Sequence, residues 1–291
     1  MNKICVTFIL VFFLFSCNGP QNKSGDKILT VSIAPFKYFV DEISGGEYIV
    51  NVMVPAGADP HVYEPFPVQI NNLRKSVAYI SNGYLGFEMT WLSRFYEINS
   101  KMKKLSLGEK IIPLDNDHHH EGGNVESADP HYWVSPVCAI TIASSVRDLL
   151  IELNPDETAK YESNYQNLTI KINEIDALAR NLFSDVKIRS FMIFHPNLGY
   201  LARDYNLEEI TVEHEGKEPS PLRMKELIDL ARTVGLQTIF VQKEYDVKNA
   251  KAIADEINAV IQIIDPLSEN WLKTTTDIIN ALHKSMIVSS N

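Results

Sequence analysis

Residues 154–185 read NPDETAKYESNYQNLTIKINEIDALARNLFSD, and this stretch decides the fold. Asn154 is an N-cap candidate, Pro155 suits the first helical position, and Asp156 and Glu157 oppose the helix dipole. From there Tyr161, Tyr165, Leu168, Ile172, Ile175, Leu178 and Leu182 recur every three or four residues, which draws one apolar stripe along a helix. Neither glycine nor proline interrupts Asp156 through Asp185. Such a helix runs roughly 45 Å at about 1.5 Å per residue, long enough to cross two lobes.

On both sides of it, strand and helix patterns alternate. Residues 28–34, 48–54 and 77–80 read as strands, with helical segments at 35–43, 67–76, 87–96 and 136–153. After the long helix the alternation restarts. Strands at 190–194, 208–211, 238–241 and 260–264 are separated by helices at 198–205, 221–233 and 247–258, and 270–285 closes the chain as a helix. Such βαβα patterning predicts mostly parallel sheets with helices on their faces. The expected fold is therefore α/β: an N-terminal α/β lobe over 28–153, a linking helix over 154–185, and a C-terminal α/β lobe over 186–291. A chain of 291 residues with 45% hydrophobic content can fill two such cores.

The N-terminus reads as an export signal over residues 1–17. Lys3 supplies a basic residue, Val6 to Phe15 is almost wholly apolar, and the run is about half of the roughly 20 residues that span a membrane. Leu14-Phe15-Ser16-Cys17 resembles a bacterial lipobox, which implies a lipid anchor on Cys17; an ordinary cleaved signal is the alternative. Residues 18–27 read as a flexible tether. Cys5 lies in the signal, so Cys138 is left as a lone thiol, and the fold stands without an intramolecular disulfide. A net charge of −10 with no dense basic stretch argues against nucleic acid as a partner.

The chemistry lies in a repeated tripeptide. Asp59-Pro60-His61 and Asp129-Pro130-His131 each place a histidine on a loop stiffened by proline. Rigidly mounted imidazoles are what a transition-metal site requires, because its ligands must converge in one geometry. His195 directly follows one predicted strand and Asp265 another, and His61 lies a few residues past a third. Ligands in open α/β sheets bind beyond the carboxyl ends of the strands. Three imidazoles and a carboxylate, two from each lobe, form a four-coordinate set suited to Zn²⁺.

These segments also resemble a known family. Residues 57–65 (GADPHVYEP), 129–136 (DPHYWVSP), Phe194-His195 through Tyr200, and Asp265-Pro266-Leu267 are similar to the cluster A-I metal-binding lipoproteins of ABC transporters, the ZnuA/TroA-like group. The resemblance covers residue 28 to the C-terminus. It implies two lobes joined by one long helix, with a zinc or manganese ion between them held by His61, His131, His195 and Asp265. Glutamate in the third position goes with manganese carriers, so His195 favours zinc. Glu218-Pro219-Ser220 matches a further family segment, whereas Gln242-Lys243 stands where many members have glutamate-proline. His118, His119 and His120 resemble a shortened form of the histidine-rich loop of zinc-specific members, a weak secondary metal site. His214 and His283 read as structural.

The expected function is capture of Zn²⁺, with Mn²⁺ as the alternative cargo, and delivery to the membrane subunits of an ABC permease. The expected protein is monomeric, lipid-anchored in the periplasm or at the cell surface, and not an enzyme. A zinc hydrolase is a rival, since three histidines and a carboxylate can hold an activated water, but His-Glu-x-x-His is missing and no motif supplies a general base. An adhesin whose ion merely locks the lobes is another.

Overall fold

The computed structural model describes residues 27–114, 128–213 and 219–287. Cys17, His118, His119, His120, His214 and Glu218 lie outside the described residues, as do the signal and all but the last residue of the tether.

The first lobe runs β1 (Ile28–Ile33), α1 (Ala34–Ser44), β2 (Ile49–Val54), α2 (Pro67–Leu73), β3 (Ser76–Ser81), α3 (Gly86–Ile98), β4 (Lys103–Ser106) and α4 (Pro136–Leu153). The linking helix α5 spans Thr158–Phe183. The second lobe runs β5 (Ser190–Ile193), α6 (Gly199–Tyr205), β6 (Glu208–Thr211), α7 (Pro221–Val234), β7 (Thr238–Gln242), α8 (Lys248–Ile257), β8 (Val260–Ile264) and α9 (Trp271–Met286).

Each lobe holds a four-stranded sheet, ordered β2-β1-β3-β4 in the first and β6-β5-β7-β8 in the second, and every pairing is parallel. The same strand order occurs twice. Burial follows position: β1, covered on both faces, is buried along nearly its whole length, as a central parallel strand must be. The edge strand β8 leaves Val260 and Ile263 exposed.

The long helix begins differently from the sequence expectation. Pro155–Glu157 forms a 3-10 turn, and Asn154 makes no side-chain cap. Its amide instead donates to Glu47 Oε1 at 3.0 Å. Lys27, Lys160 and Tyr161 also donate to Glu47. Burial works against ionisation of Glu47, yet these donors overcome it and hold the carboxyl down at about 2. The start of α5 is thereby tied to the first lobe. Its buried stripe is Tyr161, Leu168, Ile172, Ile175, Ala179 and Phe183, so the last turns bury Ala179 and Phe183 in place of Leu178 and Leu182.

α5 packs against α1 and α4 of the first lobe and against α6 and α9 of the second. One apolar cluster runs through both lobes, from Leu29 and Phe36 to Tyr200, Phe240 and Ile279. Trp271 of α9 stacks obliquely on Phe39 of α1, with ring centroids 5.1 Å apart, and its Nε1 donates to the Trp133 carbonyl at 2.6 Å. Trp133 Nε1 donates in turn to the Pro266 carbonyl at 3.0 Å. The lobes therefore share a core, and removing the Trp271 side chain would cost roughly 3–5 kcal/mol while loosening their contact. Among the described residues no helix is long and apolar enough to cross a membrane.

Candidate metal centre

Both Asp-Pro-His segments fold in the same way. The Asp59 carboxylate accepts the His61 backbone N–H at 2.8 Å, and Asp129 accepts that of His131 at 2.8 Å. Each is an Asx turn closed across a proline of fixed φ. The repeated tripeptide is thus a repeated mount for an imidazole.

Each mount is seated by its neighbours. The loop carrying His61 lies against the first turn of α3, where a Cβ on Gly86 would stand 2.6 Å from the His61 carbonyl oxygen. Only glycine permits that approach. His131 precedes a 3-10 turn, Tyr132–Val134, and Ser135 then caps α4 by accepting from the Val137 and Cys138 N–H groups. Asn82, just past β3, donates to the Pro130 carbonyl at 2.9 Å. His195 stands two residues past β5, and its backbone is clamped from both sides by Gln242. Its N–H donates to Gln242 Oε1 at 3.3 Å, and its carbonyl accepts from Gln242 Nε2. An ionised glutamate at 242 could accept the first bond but not donate the second, which gives the glutamine there a purpose.

These three mounts bring the imidazoles together. Ring centroids are 5.3 Å apart for His61 and His131, 5.1 Å for His61 and His195, and 5.3 Å for His131 and His195. One ring nitrogen from each lies within 4.8 Å of the others. Pro60, Trp133, Asn197, Glu244, Tyr245 and Leu267 complete the wall of the cavity, which leaves about 20 Å³ of free space. That is room for a single water-sized species.

Carboxylates orient two of the rings. Asp129 Oδ1 lies 2.7 Å from His131 Nδ1, and Glu213 Oε2 lies 2.9 Å from His195 Nδ1. Each carboxylate accepts from Nδ1–H, which leaves the Nε2 lone pair free to bind an ion. Tyr245 stacks on His195 at 4.7 Å and 18°. Burial, reinforced by the other two histidines, pushes the His61 pKa down to about 3. Burial also lowers that of His195, against the opposing pull of Glu213. Both rings are held in the neutral form that ligation needs.

Asp265 is not part of this cluster. It follows β8, and its Oδ2 faces Lys243 Nζ at 3.3 Å. Glu244 lines the cavity instead. Burial raises its pKa, opposed by a hydrogen bond from its own N–H, and the nearby Asp265 raises it further. His283 lies on α9 against Phe183, away from the cavity. Sequence reasoning missed Glu213, Glu244, Tyr245 and Asn197. Glu213 was within reach, because it lies just past β6, where the strand-end rule that singled out His195 applies equally.

A two-lobed α/β protein with a helical backbone and three convergent imidazoles between its lobes is the class that fold and cleft define. The chain belongs to the family described as "Zinc-uptake complex component A periplasmic", whose model matches residues 29–285. A solved structure of ZnuA is 35% identical, covers 90% of this chain and 100% of its own, and superposes with a TM-score of 0.84. A zinc-bound ZnuA deletion mutant is 34% identical, with coverage of 91% and 99% and the same TM-score, 0.84. The zinc-binding protein AdcA of Streptococcus pyogenes is 26% identical over 98% of this chain and 60% of its own length. The chain thus spans about 60% of the length of that relative. The high-affinity zinc uptake system protein ZnuA of Bacillus subtilis is 25% identical, covering 87% of this chain and 82% of its own.

Proposed function

We propose that this protein captures Zn²⁺ outside the cytoplasm and delivers it to the membrane permease of an ABC-type uptake system. The observation that carries the reading is the convergence of His61, His131 and His195 on one water-sized cavity between the lobes. The relatives' names, a zinc uptake protein and zinc-binding proteins, support the same cargo.

The chain's own residues make capture selective. Three neutral nitrogen donors suit a borderline-soft ion such as Zn²⁺ better than Mn²⁺, which prefers oxygen. Asp129 and Glu213 hold the rings in the ligating tautomer, so little ordering remains when the ion arrives. Burial suppresses competing protonation of His61 and His195. A cavity of about 20 Å³ lined by three imidazoles has space for an ion. Anchoring through a lipidated Cys17 would keep the loaded protein near the permease.

Deleting the gene for this protein in its own host and growing the cells with a zinc chelator tests the reading. Growth should stop at chelator levels the parent tolerates, and added zinc but not manganese should restore it. Growth indistinguishable from the parent's would contradict the proposal.

A further inference from the structure

Buried polar side-chain atoms without a hydrogen-bond partner are rare in folded proteins, and each calls for a reason. Among the described residues seven such atoms occur, and four of them line one cavity: His61 Nε2, His195 Nε2, Asn197 Oδ1 and Glu244 Oε1. A cation held by the histidines would satisfy the two ring nitrogens as they stand, and an oxygen that turned toward it from the wall. Two are the imidazole nitrogens already assigned to the ion, and a third is the neutral amide oxygen of Asn197. The fourth carries a formal charge.

We infer that Glu244 supplies the carboxylate that completes the zinc site, binding the ion directly through Oε1, while Asp265 remains on Lys243 outside it. This rests on the zinc-binding reading above. Topology supports it. In the order β6-β5-β7-β8, the crevice where ligands bind opens between β5 and β7, the strands from which the chain departs in opposite directions. His195 follows β5 and Glu244 follows β7, so they flank that crevice. Asp265 follows β8, one strand spacing of about 4.8 Å farther out.

Local contacts agree with topology. Tyr245 lies face to face with the His195 ring, which holds the 244–245 segment against a ligand. Asp265 already has a cationic partner, and its side chain is 31% exposed. Charge decides between Glu244 and Asn197. Three neutral imidazoles leave the full double charge of Zn²⁺ in a cavity with little water, and burying an uncompensated charge is costly. A carboxylate halves that charge; an amide does not. Glu244 is not within the 4.8 Å group formed by the three histidine nitrogens, so ligation requires its carboxylate to turn inward from the wall. The three side-chain torsions of glutamate allow this.

The test compares Glu244→Gln, Asp265→Asn and the unaltered protein, using chelator competition for zinc affinity and visible absorption of the cobalt-loaded forms for the ligand set. Glu244→Gln preserves shape, and the cobalt spectrum reads coordination whatever the effect on stability. Its zinc affinity should fall by at least the roughly 10–100-fold that losing an outer-shell partner costs, with a changed cobalt spectrum. Asp265→Asn should match the unaltered protein in both. An unchanged spectrum and affinity in Glu244→Gln would overturn the inference, and so would a loss in Asp265→Asn as large as that in Glu244→Gln. Failure of the unaltered protein to bind zinc would instead overturn the functional reading on which it rests.

Discussion

Replacing Glu213 tests whether the site works by holding its ligands in advance. Glu213 touches no ion; it accepts from His195 Nδ1 at 2.9 Å, with the two side chains 9% and 11% exposed. A hydrogen bond to a charged acceptor contributes roughly 1.5–3 kcal/mol, but part of that is lost in the metal-free protein as well. The remainder, which appears in metal affinity, corresponds to a typical 10–100-fold weakening, or about 1.4–2.7 kcal/mol. Glu213→Ala removes acceptor and charge from a nearly dry position, so its effect should fall in the upper part of that range. Glu213→Gln keeps an acceptor oxygen and loses only the charge, which places it near the lower end, about 10-fold. Both are read by competition with a chromogenic zinc chelator, and urea unfolding of the metal-free forms separates affinity from stability. If Glu213→Ala binds zinc as tightly as the unaltered protein, orientation of His195 by its carboxylate partner plays no part in capture.

Three further outcomes follow from the geometry. Gly86→Ala should push the His61 loop off α3 and weaken zinc binding, because the new Cβ would stand 2.6 Å from the His61 carbonyl; unchanged affinity would mean the loop's seat is irrelevant. Burial holds the His61 pKa at about 3 against an ordinary 6.5, so between those values the unfolded chain binds the extra proton and the folded one does not. Stability of the metal-free protein present above pH 6.5 should therefore be lost as pH falls, by up to about 2 kcal/mol at pH 5 from this histidine; His61→Gln should show a correspondingly shallower decline in urea unfolding, and parallel curves would contradict the shift. The shared core and the unbroken α5 resist a hinge, so solution scattering should give nearly equal radii of gyration with and without zinc, near 18 Å for a body of about 240 residues such as the described ones. A contraction of several ångströms would show a true closing motion.

Much of this arrangement was legible in the sequence because its signals are local. The apolar spacing in residues 154–185 and the proline-fixed Asp-Pro-His loops act through nearest neighbours, and they specified the linking helix and two of the three imidazole mounts. β4 escaped notice because Lys103-Lys104-Leu105-Ser106 is short and charged, as befits an edge strand that must not recruit partners. Asn154 looked like a cap, but a long-range bond to Glu47 claimed its side chain. The same limit applies at the site. Glu213 and Glu244 owe their positions to which strands lie side by side, and strand order is set by crossovers rather than by any pattern within a strand. Asp265 follows a strand as His195 does, but the sheet order makes that strand the outer one, and its carboxylate faces Lys243.

The central claim, that three histidines from two lobes hold one cargo ion, is tested most directly by counting metal. Protein purified without chelator and loaded with zinc should carry one tightly held ion per chain by elemental analysis after exhaustive dialysis. The double variant His61→Ala/His195→Ala, which removes one donor from each lobe, should retain none while keeping its helical circular dichroism. A full equivalent of zinc in the double variant would place the ion elsewhere and contradict the account.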